Sequence, residues 1–324
     1  MKDLISILIP VKNAAPWLSE CLDSILNQSL KTWEVIAVND HSDDESSKTL
    51  EKYARQFSQI HWFENNGSGI IDALDLAFQK SNGSWIHRMD ADDLMPATKL
   101  ETLYTLLQVN SKAIATGKVR YFGRNPISAG YRKYEDWLNQ RCDFDDHNDW
   151  IYRECVIASP NWLVHRSSIE EIGGFSQLNY PEDYDLILKW LTAGKEVLST
   201  FKTTHLWRDH DARTSRNSTV YDQDSFFKIK LEHWVTSTFQ KKKTTVILGE
   251  NRKAHKVMEL LDSLNVKYRW LGIQGKANED FSTLSAIDSP QVLVAVYPPE
   301  PQFSELKKAF EKHALYHGQD YWWL

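Results

Sequence analysis

Ser84–Asp93 reads SWIHRMDADD, a β-prone apolar run that breaks into three carboxylates around a single alanine. The same construction occurs twice upstream. Leu4–Ile9 is a continuous β-rich run ending in PVKN (Pro10–Asn13), and Trp33–Val38 ends in NDHSDD (Asn39–Asp44). Between these runs Pro16 opens a helix that sets Leu18, Cys21, Leu22, Ile25 and Leu26 on one face. Ser46–Phe57 reads as a second helix, Ile60–Phe63 as a third strand and Ile70–Lys80 as a third helix. Short apolar strands alternating with helices predict an α/β domain with a mostly parallel central sheet covered on both faces.

In such a sheet, ligands gather outside the carboxyl ends of the strands. Asn and Asp at the ends of the first, second and fourth strands therefore define one site, provided these strands are neighbours. Asp43 and Asp44 have a simpler reading as caps of the following helix. Capping uses one carboxylate, so the three of Asp90, Asp92 and Asp93 need something more. A hard divalent cation, Mg²⁺ or Mn²⁺, offsets such repulsion, and it characteristically takes one or two protein carboxylates plus substrate phosphates. The compensation is thus expected from outside the chain, with a nucleoside diphosphate completing the site.

The net charge of −6 over 324 residues argues against nucleic acid as a partner. The one cationic run, Lys241–Lys243, reads as a solvated linker. Three cysteines, Cys21, Cys142 and Cys155, are odd in number and lack metal-ligand spacing, which points to a reduced protein without structural zinc. The first apolar stretch is broken by Pro10 and is too short for a signal sequence or a membrane span. The expected location is the cytoplasm, with peripheral contact at the inner membrane face and homodimerisation left open. Thirteen tryptophans exceed what a core needs, and aromatic rings also stack on sugar faces.

Further along, Ala113–Phe122 reads as a strand, followed by the acidic stretch CDFDDHNDW (142–150). A helix starting near Ser167 stops at Gly173-Gly174. The next has Pro181 at its start, Glu182 and Asp183 in its first turn and Gly194 as its stop. A helix over Tyr221–Phe239 precedes the linker. A second α/β pattern follows: strand TTVILG (244–249), helix Lys253–Leu264, strands near Tyr268 and at VLVAVY (292–297), and helix Phe303–His313. These place a boundary near 240. The first domain, 1–240, has a nucleotide-binding half (1–110) and an acceptor half (111–240), and 241–324 forms a small Rossmann-like α/β domain. ILGENRKAHK (247–256) keeps Gly249 but lacks the other glycines of a dinucleotide fingerprint, so docking, dimerisation or acceptor binding is the expected role there.

SILIPVKN, VNDHSDD, GIIDALDLA, GSWIHRMDADD, GGF, PEDYDLILKWL and WRDHDARTSR resemble, in order and spacing, the inverting glycosyltransferases of family 2 with the GT-A fold. The resemblance runs from residue 4 to about 235. The closing GQDYWWL is similar to the end of a C-terminal Rossmann-like module in some bacterial members. The resemblance implies a nucleotide-sugar donor of the UDP type, a Mn²⁺ or Mg²⁺ ion, and a glycan, lipid-linked or lipopolysaccharide-type acceptor. It implies that Asp40 binds the donor base, with Pro10, Val11 and Asn13 lining the pocket and Asp72 among the donor-binding residues. Asp90 faces ribose and metal, Asp92 is the main metal ligand, and Asp93 holds the loop. His210 is a further metal or diphosphate ligand, and Arg88, Arg213 and Arg216 contact phosphates. Asp183 is the catalytic base, and its helix-start position is expected to keep it ionised but weakly basic. Two departures stand out: His41 replaces a usual glycine, and SPNW (159–162) replaces His-Pro-Thr on the acceptor side. The alternatives are an inactive nucleotide-sugar or glycan-binding protein on the same fold, and a nucleotidyltransferase. The latter normally carries a Gly-rich basic loop after the first strand, which PVKNAAPW is not.

Overall fold

Strand β1 (Ile5–Val11) is buried along nearly its whole length, as a strand flanked on both edges and covered on both faces must be. The computed structural model describes residues 3–213, 221–272 and 283–324. Their contacts group into two units. Unit 1 takes in the described residues of Met1–Asp145 and Ile157–Thr219, and unit 2 those of Asp146–Val156 and Val220–Leu324.

Unit 1 runs β1, α1 (Ala15–Leu26), β2 (Trp33–Asn39), α2 (Ser46–Gln56), β3 (Ile60–Glu64), α3 (Ile70–Lys80) and β4 (Trp85–Arg88). It continues with α4 (Lys99–Leu107), β5 (Ile114–Gly123), α5 (Ala129–Phe144), β6 (Trp162–His165), α6 (Ser167–Glu170), α7 (Glu182–Thr192) and β7 (Val197–Asp209). The seven strands are ordered β3-β2-β1-β4-β6-β5-β7. β1 pairs in parallel with β2 on one side and β4 on the other, so the three polar strand ends are adjacent. Only β6 is antiparallel, to both β4 and β5. Alternate residues of β1 (Ile5, Ile7, Ile9, Val11) pack in one cluster with Leu18, Leu22 and Ile25 of α1 and Leu100, Leu103 and Leu107 of α4.

Four of these elements carry no clear sequence signal. β6 has four residues, too few to show alternation. β7, VLSTFKTTHLWRD, is half-exposed through most of its length. α5 buries only Leu138, Arg141 and Cys142, so its apolar stripe is thin. α4 follows so closely on the acidic turn that its start carries no cap signature: Thr98 makes no side-chain capping bond.

Unit 2 contains α8 (Gln223–His233), β8 (Thr244–Leu248), α9 (Arg252–Ser263), β9 (Arg269–Leu271), β10 (Pro290–Val294), α10 (Gln302–Lys312) and β11 (Tyr321–Trp323). Its four strands form a parallel sheet in the order β11-β10-β8-β9. The GQDYWWL motif is architectural: Tyr321, Trp322 and Trp323 are the buried strand β11. Asp320 beside it accepts hydrogen bonds from Lys243 Nζ at 2.9 Å and the Tyr316 N–H at 3.1 Å. The grouping of contacts differs from the boundary expected near 240. The acidic stretch after α5 sends its aromatics into unit 2, where Trp150 meets His317 edge-on at 4.8 Å and Tyr152 Oη lies 2.6 Å from Thr238 Oγ1. Residues 146–156 and 221–240 therefore belong with the C-terminal strands. Among the described residues no helix is long and apolar enough to cross a membrane.

Candidate active site

At the joined ends of β1 and β2 the Asp40 N–H donates to Val11 O at 2.7 Å. The Asp40 carboxylate is buried and fully engaged. Oδ1 accepts from Asn65 Nδ2 (2.7 Å) and the Gly69 N–H (3.0 Å), and Oδ2 faces Lys12 Nζ at 3.3 Å. Burial raises its pKa, but the bonds from Asn65, Gly69 and Lys12 outweigh that, and the group sits below the usual carboxylate range. Of the expected pocket wall, Val11 points into the core, Pro10 is half-buried and Asn13 is exposed. Asn13 ties the two loops together by donating its N–H to Ser42 Oγ (2.9 Å) and accepting from the Asp43 N–H (3.0 Å). His41 takes a left-handed φ of 54°, the conformation a glycine would supply, and its Nε2 lies 2.8 Å from Gly67 O. Asp44 acts as a cap, accepting from the Ser46 and Ala15 N–H groups at 2.9 and 3.0 Å.

Asp72, expected among donor-binding residues, accepts the Ser68 N–H at 2.8 Å and so fixes the loop that presents Gly69. Gly69 has φ 91° and ψ 174°, a region essentially closed to other residues, and a Cβ there would lie 2.9 Å from Tyr180 Oη. Gly69→Ala is expected to cost about 1–3 kcal/mol in a chemical denaturation curve. An unchanged midpoint would show that the loop relaxes freely.

The DADD turn follows β4, and each of its acids has a partner within the chain. Arg88, itself buried, donates from Nε to Asp90 Oδ1 and from an Nη to Glu182 Oε1, both at 3.0 Å. Asp92 Oδ2 lies 2.8 Å from His210 Nε2, and the His210 ring stacks on Trp17 at 3.8 Å. Asp93 is buried, accepting the Arg208 N–H at 2.7 Å and facing His205 Nε2 at 2.9 Å. Behind it Lys99 Nζ reaches His205 Nδ1 (3.2 Å) and Pro160 O (2.7 Å), with burial pulling the Lys99 amine down to about 7. Lys99 donates to Nδ1, so Nε2–H of a neutral His205 is directed at Asp93.

These pairings correct two expectations. Each acid of the turn already has a hydrogen-bonding partner in the chain: Arg88 of β4 for Asp90, His205 and the Arg208 N–H of β7 for Asp93, and His210, just past β7, for Asp92. Arg88 is also committed to the half-buried Asp90 and the buried Glu182 rather than presented to a phosphate. Arg213 lies over the rings of Trp207 (5.0 Å) and Tyr121 (5.7 Å); burial opposes its charge, but Tyr121 and Asp93 more than restore it. Arg216 lies outside the described residues. SPNW is interior: Ser159, Asn161 and Trp162 are buried, and Asn161 joins β5 to β7 through Gly117 O (2.6 Å) and Thr204 Oγ1 (2.8 Å).

Asp183 stands half-buried in the first turn of α7, next to Glu182. Burial first, and then repulsion from Glu182, push its carboxyl up to about 7, with Arg88 and the Tyr184 N–H opposing. The macrodipole expected to keep it ionised is outweighed by desolvation. Burial also raises Asp90, against the pull of Arg88 and with the push of Asp92. Sequence reading passes over Asn65, Lys99, His205, Arg208 and Trp17. Of these Arg208 lies inside WRDHDARTSR, His205 two residues before it and Trp17 at the end of PVKNAAPW.

Among the described residues no group of three or more His, Cys, Asp or Glu side chains is arranged to hold a metal. The donor set nonetheless suits a hard divalent ion completed by phosphate and water. Asp92 and Asp90 each keep about a quarter of the side chain exposed, and His210 Nε2 converges on Asp92.

A profile of the family described as "Glycosyl transferase family 2" matches residues 6–173, just over half of the chain. The chain belongs to glycosyl transferase family 2. Among relatives of this glycosyltransferase, "Glycosyltransferase GlyG" of Streptococcus pneumoniae serotype 4 is 29% identical over 61% of the chain and 68% of its own length. "Uncharacterized glycosyltransferase EpsJ" of Bacillus subtilis is 32% identical over 32% of the chain and 30% of its own. The chain spans only 18% of GlyA from the same Streptococcus, so most of that relative has no counterpart in the match. Two solved structures share the fold: S. aureus TarS 1-349 in complex with UDP-GlcNAc (TM-score 0.57, 16% identity, 82% of this chain and 72% of that one), and the mannosyltransferase PcManGT from Pyrobaculum calidifontis with GDP-Man and Mn2+ (0.54, 15%, 97% and 76%). The fold is GT-A, with a mostly parallel central sheet.

Proposed function

We propose that this family 2 glycosyltransferase moves a sugar from a nucleoside-diphosphate sugar, of the UDP type, to a hydroxyl of a glycan or lipid-linked acceptor with inversion at C1. The observation that carries the reading is the pairing of functions at one sheet edge. An acidic turn suited to a cation lies beside a carboxyl, Asp183, whose environment tunes it to about 7. A general base works best with a pKa near the working pH. The acceptor hydroxyl attacks C1 as the diphosphate departs from the opposite face, and Asp183 takes the hydroxyl proton. No covalent intermediate on the protein is needed.

Asp92, Asp90 and His210 would hold the divalent cation, which when bound supplies stabilisation of the charge developing on the diphosphate. Asp40, already ordered by Asn65 and Gly69, is the residue we place toward the donor base. The UDP-GlcNAc bound to TarS and the GDP-Man bound to PcManGT support a nucleotide-sugar donor. The three buried cysteines, none of them in a disulfide, support a reducing, cytoplasmic setting.

UDP with Mn²⁺ is expected to raise the melting temperature, in line with about 2.7 kcal/mol of stabilisation at a hundredfold excess over Kd. Asp92→Ala should remove the metal-dependent part of the shift. GDP run in parallel distinguishes the base. If no nucleoside diphosphate shifts the curve with metal present, the donor-site reading fails.

A further inference from the structure

A second concentration of charge lies wholly within unit 2, at the carboxyl edge of its sheet. β8 and β10 are neighbours, but the chain leaves β8 toward β9 and leaves β10 toward β11 on the opposite side. In open parallel sheets such a switch point leaves a ligand-sized crevice outside the strand ends. Here Asn251, just after β8, reaches across to Ala295 O, just after β10, at 3.0 Å.

Three cations collect around this edge. Lys253 stands in the first turn of α9, Lys230 comes from α8, and Arg153 from the segment 146–156 that packs in this unit. The Arg153 guanidinium lies 3.8 Å from the Tyr297 ring centre, and Lys230 and Lys253 lie 4.1 and 5.4 Å from that of Phe227. Lys230 Nζ donates to the Arg153 main-chain carbonyl (3.3 Å) and Lys253 Nζ to an oxygen of Leu324, the last residue of the sequence (2.5 Å). Among the described residues no side-chain carboxylate forms an ion pair with any of the three cations. Burial, and after it mutual repulsion, brings the Lys230 amine down to about 7 and that of Lys253 to about 8. Glu154 attracts all three cations but offsets their burial and mutual repulsion only in part, and a further anion relieves what remains.

We propose that this crevice binds the phosphate of an organic ligand, gripped by Arg153, Lys230 and Lys253, with its apolar part against Phe227 and Tyr297. A planar guanidinium fork beside two ammonium groups matches a phosphate better than a single carboxylate. The mode differs from a dinucleotide loop: grip comes from side chains, since the β8–α9 loop has one glycine, and a Cβ at Gly249 would already crowd the Val296 nitrogen at 3.3 Å. The site is independent of the donor-site reading.

The test uses the full chain carrying Asp92→Ala, so that the donor site contributes no metal-dependent binding. Inorganic pyrophosphate is titrated calorimetrically, and phosphatidylcholine vesicles with and without phosphatidic acid are tested by co-sedimentation. Saturable binding is expected in one of these arms, and the arm identifies a soluble or a lipid-borne phosphate. Arg153→Met and Lys253→Met should each weaken it roughly ten-fold, and the pair should abolish it while circular dichroism stays unchanged. Lys230→Met, at the most buried position, is read only through its melting curve: loss of the pyrophosphate-induced shift supports the site. Absence of binding in both arms, or binding that survives the double variant, overturns the proposal.

Discussion

Asp183→Asn is expected to lower transfer by about 10²–10⁴-fold, the usual contribution of a positioned general base, while nucleotide binding stays within a few-fold. The amide keeps the shape and the helix start but cannot accept a proton. The pH profile carries the sharper signature. Only the ionised carboxylate is a base, and its folded value of about 7 means that transfer should climb as pH rises through neutrality. Stability moves the other way. The folded state retains a proton that the unfolded chain has released, so between the ordinary aspartate range and about 7 stability falls as pH rises. The amide removes that penalty, and Asp183→Asn should be at least as resistant to denaturant as the parent at pH 8. A variant with parental transfer rate would put the base elsewhere. One that is inactive but also markedly less stable at pH 8 would assign Asp183 a structural role instead.

Arg88→Met should produce the largest loss of stability of any single change near the site. Arg88 is buried and is bonded to Asp90 and to fully buried Glu182. Methionine fills similar volume but leaves two carboxylates facing each other in a desolvated corner. Breaking a buried ion pair from one side typically costs about 3–5 kcal/mol. Both acids can escape by taking up protons, so the variant should recover part of its stability as pH is lowered toward 5. A loss below 1 kcal/mol, or one independent of pH, would show that water reaches this corner. The double change Arg88→Met with Glu182→Gln should be milder than Arg88→Met alone, because one stranded charge goes with its partner.

Much of the first hundred residues is legible because its information is local. β1, β2 and β4 show their burial as continuous apolar runs, and their polar ends announce the sheet edge. The partners of the acids are not legible in this way. Glu182 reaches Arg88 from 94 residues away, His205 reaches Asp93 from 112, and His210 reaches Asp92 from 118. No short-range pattern encodes such pairings, and β7, which carries His205 and ends one residue before His210, mixes threonine, lysine and histidine rather than alternating. The electrostatics of α7 failed for a related reason. A helix start favours an anion when it faces water, but Glu182, Tyr184 and Asp185 are buried around Asp183, and the cost of desolvation decides. The second unit is legible as an α/β pattern, whereas its claim on residues 146–156 rests on where Trp150 and Tyr152 point.

The long reach of these pairings sets an order of events during synthesis. The acidic turn emerges from the ribosome well before the histidines that pair with Asp92 and Asp93. At about 5–20 residues per second, the 112 residues separating Asp93 from His205 take on the order of 10 s. Throughout that interval Asp92 and Asp93 lack these partners, and Lys99 is the one member of the buried Lys99–His205–Asp93 chain to follow promptly. The last strand of unit 1 therefore acts as a latch: only when β7 docks does Asp93 gain His205 and the Arg208 N–H, and Asp92 the His210 ring that follows the strand.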